Sequence, residues 1–122
     1  METNRTSYNY DNLCVIIATE DIVTTNNYTP ALSFDTSKHP SFSLQLINKD
    51  VNNTLTYKIS TTFDGIYFKD IKIDTDIIIG VNDIYEDFSI GTRTIVYVKS
   101  KVANTPSILK VFARLNPMSI IV

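Results

Sequence analysis

The sequence predicts an all-β protein, an antiparallel β-sandwich of about eight strands with an Ig-like or a jelly-roll topology. Ile, Val, Thr, Tyr and Phe are abundant while Ala and Glu are scarce, a bias that favours strands. Short apolar runs alternate with polar turns at intervals of about eight to twelve residues, which is typical of antiparallel sandwiches. No stretch of helical length combines a helical apolar period with capping residues.

In the first half of the chain, strands are predicted over residues 13–23 (broken at 19–21), 31–34, 42–47, 54–62 and 66–73. The strand over 54–62 has the clearest alternation, because Leu55, Tyr57 and Ile59 share one face. Asp64-Gly65 then favours a tight hairpin turn, since Gly adopts positive φ at little cost. The polar residues 74–76 are expected to end the return strand.

In the second half, apolar segments are predicted over residues 77–79, 84–90, 93–100 and 108–115, with an apolar tail over 119–122. The segment 84–90 is open between a strand and one helical turn. The segment 93–100 is apolar on both faces and is expected to be a central strand. We expect residues 1–12 to form a flexible N-terminal arm and residues 13–122 to form a single sandwich domain.

Composition disfavours several function classes. The net charge of −2 leaves no cationic surplus for binding nucleic acid. No apolar run approaches the roughly 20 residues of a membrane span, and the polar start has no secretory signal core. The single cysteine, Cys14, lies in an apolar run and is interpreted as a buried structural thiol. A nucleophile would need the single histidine, His39, as its base.

Carboxylates are the only plentiful reactive groups, and they are interpreted as turn or surface residues. Asp64, Asp74, Asp76 and Asp83 all fall where turns are predicted, and Asp is favoured there because it binds the local backbone. Two alternatives stay open: a pair of glycosidase carboxylates and a Ca²⁺ site at Asp74 and Asp76. The chain lacks the EF-hand pattern and any Gly-rich phosphate loop. We therefore expect no enzyme activity, no cofactor and no metal.

Aromatic and apolar residues outside the predicted core are candidates for an interface, since tyrosine is enriched at protein interfaces. Tyr67 and Phe68 are adjacent in a strand, so one of them must face away from the core. The candidate interface residues are Tyr8, Tyr10, Tyr67, Tyr85, Ile120, Ile121 and Val122.

A set of segments within residues 31–116 resembles the small β-sandwich virion proteins of tailed bacteriophages. The segments are the strand over 42–48 that ends in Asn, the Thr-Tyr-Lys-Ile strand at 56–59, the Ser-to-Asp-Gly hairpin over 60–65, and the strands over 94–100 and 109–113. In such proteins these pieces follow one another in this order. The Ile-, Asn-, Lys- and Asp-rich composition also fits the AT-rich genomes of many phages.

This resemblance implies a non-enzymatic structural component of a virion: a capsid decoration, head-fibre, connector or tail protein, made in the host cytoplasm. Its partners would be other virion proteins, in many copies and in a symmetric assembly, without nucleic acid or membrane. The alternative is a carbohydrate- or peptide-binding sandwich module, which would present Tyr67 or Tyr85 on a concave face. An enzyme would require Cys14 and His39, or two carboxylates, to converge in one cleft.

Overall fold

The computed structural model of the protein describes residues 5–10, 14–88 and 91–116. Within these ranges the chain forms ten β-strands and no helix. The strands are β1 Arg5–Tyr10, β2 Cys14–Thr19, β3 Ile22–Val23, β4 Thr29–Asp35, β5 Ser41–Asn48, β6 Leu55–Thr62, β7 Phe68–Ile77, β8 Asn82–Phe88, β9 Arg93–Ser100 and β10 Ile108–Leu115. No helix able to cross a membrane occurs in this part of the chain.

The strands form two antiparallel sheets that pack face to face, which confirms the predicted all-β sandwich. One sheet has the order β1-β2-β10-β5-β8, with β3 also paired to β10, and the other has the order β4-β9-β6-β7. From β3 onward each connection crosses to the other sheet, except the hairpin from β6 to β7. This alternation is that of a jelly roll, so the topology decides between the two predicted alternatives.

The core lies between the sheets and follows the predicted alternation. In β5 buried residues alternate with half-buried ones, and Phe42, Leu44 and Leu46 are at most 1% exposed. The rings of Phe34 and Phe42 join the two sheets edge to face, with centroids 5.1 Å apart. The buried core residues of the inner strands are Leu55, Tyr57, Ile59, Val96, Val98, Leu109, Val111 and Ala113.

The structure decides one open choice and overturns one local expectation. Residues 84–88 of the segment left open between strand and helix lie in β8, which pairs with β5, and residues 89–90 lie outside the described residues. Asp74 and Asp76 do not end a strand, because β7 continues to Ile77. The polar side chains are accommodated there because β7 is an edge strand whose outer face carries few apolar contacts.

The N-terminal segment contributes a strand. Within the arm expected over residues 1–12, Arg5–Tyr10 pairs with β2 in antiparallel register from Arg5 opposite Thr19 to Tyr10 opposite Cys14. This pairing satisfies backbone groups that would otherwise form an open edge of the larger sheet. The division of the chain at residue 12 into an arm and a domain stays a prediction.

Candidate interaction surface

The hairpin turn between β6 and β7 is held by its own side chains. One carboxylate oxygen of Asp64 accepts the backbone N–H groups of Ile66 and Tyr67, each at 2.9 Å. The N–H of Gly65 donates to the Thr62 hydroxyl at 2.9 Å, and Gly65 has a φ of 81°. These amide bonds lower the pKa of Asp64 below its ordinary value because they favour the carboxylate. The predicted hairpin at Asp64-Gly65 is confirmed, but its loop spans residues 63–67, so Ile66 and Tyr67 lie in the turn and not in the return strand predicted from residue 66.

The neighbouring connection at residues 91–92 clamps this turn from the side. Thr92 donates its backbone N–H to the Thr62 carbonyl oxygen and its hydroxyl to the Phe63 carbonyl oxygen, both at 2.8 Å. Gly91 is buried so close to β6 that a Cβ atom built on it would lie 1.9 Å from the Thr61 hydroxyl. The backbone of the turn is thus held on two sides, by Asp64 and by Thr92.

This rigid turn presents large apolar side chains to solvent. Phe63 is 67% exposed, Ile66 74%, Tyr67 80% and Phe68 44%. We call these four residues the hairpin patch. Soluble monomers rarely expose contiguous apolar surface beyond a few hundred Å², so these four side chains are a candidate interface. Sequence reasoning named Tyr67 and the Tyr67-Phe68 adjacency but missed Phe63 and Ile66.

Tyr85, the other candidate on the predicted concave face, has a different environment. Its ring lies against Phe42, with centroids 6.4 Å apart, and the ammonium of Lys72 lies 4.9 Å from its centroid. Its hydroxyl donates to Asp87. Burial, followed by this hydrogen bond, raises the pKa of Tyr85. The Tyr85 ring is therefore packed on the protein itself, and only Tyr67 of the two offers an open ring.

The other candidate interface residues stay predictions. Tyr8 and Tyr10 lie in β1, with their backbones opposite Ile16 and Cys14. Residues 120–122, the apolar tail, lie outside the described residues.

A polar surface, distinct from the hairpin patch, covers the outer face of the four-stranded sheet. The hydroxyl of Tyr28 donates to Asp74 at 2.6 Å, and the ammonium groups of Lys58 and Lys99 each lie 4.9 Å from the Tyr28 ring centroid. Burial and the Asp74 contact raise the pKa of Tyr28. Lys58 and Lys99 have an aromatic face beside them and Asp74 has a hydroxyl, as expected of a solvated surface network.

The acidic residues of β7 are engaged by their own sheet. Asp70 accepts the Ser60 hydroxyl at 2.5 Å, and Asp76 accepts the Thr56 hydroxyl at 2.7 Å. Lys101 pairs with Asp76 at 2.7 Å. The hydrogen bonds from Lys101 and Thr56 lower the pKa of Asp76.

A shallow cleft of about 220 Å³ opens beside these carboxylates, and its lining alternates acids with lysines: Thr56, Asp74, Asp76, Lys99 and Lys101. The two lysines of the lining repel a divalent cation, and Ca²⁺ takes six to eight oxygen ligands. Among the described residues no three His, Cys, Asp or Glu side chains come together as metal ligands. The calcium interpretation of Asp74 and Asp76 therefore finds no support in the described geometry.

Of the cysteine and histidine considered as a catalytic pair, only His39 has a described side chain. Its Nδ1 lies 3.0 Å from the backbone oxygen of Asn116, which places the proton on Nδ1. Cys14 is the first residue of β2. The described contact of His39 is thus a structural one that ties the β4–β5 connection to the end of β10.

A further apolar surface lies at the other end of the sandwich, and sequence reasoning missed it. We call it the opposite-end patch; its members, with their exposed fractions, are Val51 78%, Ile78 60%, Ile79 45%, Val81 41% and Val102 59%. They come from the three connections β5–β6, β7–β8 and β9–β10. Only the strand order brings these three loops to one end, so no local pattern could have grouped them.

No protein-family model matches the chain, and no curated protein matches it in sequence. Among solved structures, the chain is similar to a protein of the Bacillus endospore appendages, which form disulfide-linked pili. The TM-score is 0.55 and the identity 8%, over 94% of this chain and 92% of that chain.

The chain also aligns with the CBM22-1–GH10 modules of Clostridium thermocellum xylanase 10B complexed with xylohexaose, with a TM-score of 0.47 and 9% identity over 89% of this chain and 22% of that chain. For the cupin domain of Schizosaccharomyces pombe Cnp3 the TM-score is 0.42 and the identity 7%, over 92% of this chain and 59% of that chain. At these identities the likeness to the pilus protein shows the fold alone: the chain is an all-β sandwich.

Proposed function

We propose that this chain is a non-enzymatic building block that acts through protein–protein contacts in a larger assembly. The observation that carries the proposal is the hairpin patch, in which Asp64 and Thr92 fix the backbone while Ile66 and Tyr67 stay open to solvent. Rigid presentation of aromatic side chains lowers the entropic cost of binding and is common at interface hot spots. A free monomer gains nothing from holding these side chains in water.

The assembly we propose is a bacteriophage virion, with the chain as an auxiliary or decoration capsid protein, a connector or a tail component. Support for this setting comes from the sequence resemblance over residues 31–116, whose strands correspond to β4 to β10. The proposed partners are other virion proteins, present in many copies, and the proposed location is the particle after synthesis in the host cytoplasm. Neither nucleic acid nor membrane is a proposed partner.

The experiment is quantitative mass spectrometry of purified virions from the phage whose genome encodes the chain, after a density gradient that removes free protein. We expect the chain in the particle fraction at a constant multiple of the major capsid protein. Absence from gradient-purified particles would refute the virion setting.

A matched pair of substitutions tests whether the hairpin patch is the contact. Ile66 and Ile73 are both 74% exposed, but Ile66 lies in the patch and Ile73 lies in the middle of β7. We expect Ile66→Asp to reduce incorporation into particles at least tenfold and Ile73→Asp to leave it unchanged. Equal incorporation of both variants would remove the patch from the proposal.

The alternative function, a carbohydrate- or peptide-binding module, is favoured by one observation, the open ring of Tyr67. A glycan and peptide array probed with the wild-type chain and with Tyr67→Ala tests it directly. Binding that disappears in Tyr67→Ala would favour the module over the building block.

A further inference from the structure

The two apolar patches lie at opposite ends of the sandwich. The strand β6 runs from Leu55, beside the β5–β6 connection, to Thr62, where the hairpin turn begins. At about 3.3 Å per residue this strand separates the two ends by roughly 23 Å. The hairpin patch therefore points away from the opposite-end patch, and one copy cannot cover the first with the second.

The loops that carry the opposite-end patch are also held in place, by hydrogen bonds centred on the β5–β6 connection. The buried amide of Asn48 donates to the carbonyl oxygens of Asn53 at 3.0 Å and Ile77 at 2.9 Å. Asn53 in turn donates to the Pro106 carbonyl oxygen at 2.8 Å, and its own carbonyl oxygen accepts the Ser107 hydroxyl at 2.7 Å. The three loops that carry the patch are thus joined to one another.

The exposed areas of the two patches are similar in size. The exposed fractions correspond to on the order of 500 Å² for the hairpin patch and 400 Å² for the opposite-end patch, at roughly 150–200 Å² per large side chain. Specific protein interfaces bury about 1,200–2,000 Å² in total, counting both partners. The two patches placed together supply most of the apolar part of that area, and the polar residues around them supply a rim.

We infer that the hairpin patch of one copy seats on the opposite-end patch of the next, so that the chain assembles head to tail with itself. The inference rests on the proposed function and names the partner of the same surface. The hairpin patch is a single turn that carries aromatic side chains, whereas the opposite-end patch is aliphatic and spans three loops. Seating one patch on the other covers both kinds of apolar surface, whereas a contact between two hairpin patches would leave every opposite-end patch exposed to water.

This geometry has a consequence for symmetry. A contact between two different surfaces leaves one hairpin patch and one opposite-end patch uncovered at the two ends of any open chain of copies. Further copies can bind there, so the assembly grows into a filament or closes into a ring. A contact between two hairpin patches would instead stop at a dimer. The size distribution of the assembly therefore discriminates between the two arrangements.

The first test is sedimentation velocity of the full 122-residue chain over a thousandfold range of concentration. We expect the fraction of wild-type protein in species larger than a dimer to increase with concentration. Ile66→Asp in the hairpin patch and Ile78→Asp in the opposite-end patch should each lower the association constant at least tenfold. Ile73→Asp, equally exposed on β7, should associate as the wild type does.

The second test mixes the two defective variants. Ile66→Asp retains an intact opposite-end patch and Ile78→Asp retains an intact hairpin patch, so an equimolar mixture should form one-to-one dimers that grow no further. Thermal unfolding of each variant, monitored by circular dichroism, should match that of the wild type, because both residues are exposed in turns or loops.

A wild type that stays monomeric over the whole range overturns the inference, and so does a mixture in which the two variants stay monomeric. Loss of association in Ile66→Asp alone, with wild-type behaviour in Ile78→Asp, also overturns it and assigns a symmetric dimer instead. A monomeric chain that is nevertheless found in purified virions leaves the proposed function standing, with a different partner on the hairpin patch. Growth into rings or filaments by a chain absent from virions supports the inference and refutes the virion setting.

Discussion

A carboxylate oxygen of Asp64 accepts the backbone N–H of Tyr67 at 2.9 Å, so the most exposed aromatic residue of the protein's described surface is positioned by a residue three places before it. The same oxygen accepts the N–H of Ile66. The side chains that face solvent are therefore set by a local hydrogen-bond arrangement rather than by core packing, and the arrangement depends on the charge of Asp64.

Replacing Asp64 by Ala should lower the midpoint of thermal unfolding at neutral pH. Hydrogen bonds in the folded state lower the pKa of Asp64. The carboxylate therefore contributes to the free energy of unfolding above a pH of about 4, and this contribution is lost as the pH falls through the lowered pKa. The difference between wild type and Asp64→Ala should therefore shrink as the pH falls from 7 to about 2. Calorimetry at both pH values measures it, and a difference independent of pH would contradict the role of the charge.

Asn48→Ala should be among the most destabilising single changes at the opposite end. The side chain is fully buried and donates to two carbonyl oxygens, while its own oxygen accepts the N–H of Asp50 at 3.0 Å. The substitution removes the Asn48 donor from the Ile77 carbonyl oxygen and leaves Asn53 with the Ser107 hydroxyl, and it should cost about 2–4 kcal/mol of the free energy of unfolding. Urea denaturation measures it, and Asn52→Ala, at an exposed position in the same loop, should change stability by less than about 0.5 kcal/mol.

Tyr57→Phe should lower the free energy of unfolding, and it should make that free energy decrease less steeply with rising pH in the alkaline range. The Tyr57 side chain is fully buried and its hydroxyl donates to Asp83 at 2.6 Å, a contact to a carboxylate whose loss should cost about 1–3 kcal/mol. Burial, then the Asp83 contact, raises the pKa of Tyr57. Tyr57 ionises near pH 10 in the unfolded chain and at a higher pH in the folded protein, so its contribution to the free energy of unfolding is complete below about pH 10 and falls above it.

Urea denaturation between pH 8 and about 11 measures the slope. Tyr28 and Tyr85 also have raised pKa values, so the variant should still lose stability with rising pH, but less steeply than the wild type. Identical slopes would show that Tyr57 ionises alike in the folded and unfolded chains.

Gly91→Ala should destabilise the protein through a steric clash. A Cβ atom at this position would lie 1.9 Å from the Thr61 hydroxyl and 2.9 Å from the Thr62 carbonyl oxygen, so β6 or the 91–92 connection must move. Forcing one methyl group into such a contact should cost about 1–3 kcal/mol. Gly65→Ala meets no atom within 4 Å, and its effect should come from the positive φ alone. The two unfolding free energies from urea titration should separate these causes, because only Gly91→Ala disturbs the Thr92 clamp.

Much of the fold was predictable because each inner strand shows its buried face locally. Phe42, Leu44 and Leu46 alternate with polar residues in β5, and the structure buries all three. The Asp64-Gly65 turn was predictable for the same reason, since the Asp64 hydrogen bonds and the positive φ of Gly65 involve neighbouring residues, but the contacts from Thr92 were not. By contrast, Asp74 and Asp76 read as turn residues but lie in β7, where the hydroxyls of Tyr28 and Thr56 bind them.

The candidate site was predictable only in part. The prediction that one of the adjacent rings Tyr67 and Phe68 faces away from the core assumed that both lie in a strand. In the structure Tyr67 lies in the hairpin turn and Phe68 begins β7, and both rings are exposed. Tyr85 was also a candidate interface residue, but its ring packs on Phe42. The register in which β8 pairs with β5 turns the Tyr85 side chain inward. Whether a side chain is exposed depends on which residues lie beside it in space, and strand periodicity does not identify those residues.

The amino-acid sequence by itself determined the all-β class, the inward faces of the central strands and the hairpin at Asp64-Gly65, because strand periodicity and turn chemistry act over a few residues. Tertiary structure alone decided the jelly-roll order over an Ig-like one and brought Val51, Ile78 and Val102 to one end. The physical reason is that strand pairing and loop grouping depend on contacts between distant segments, whose free energy local alternation does not specify.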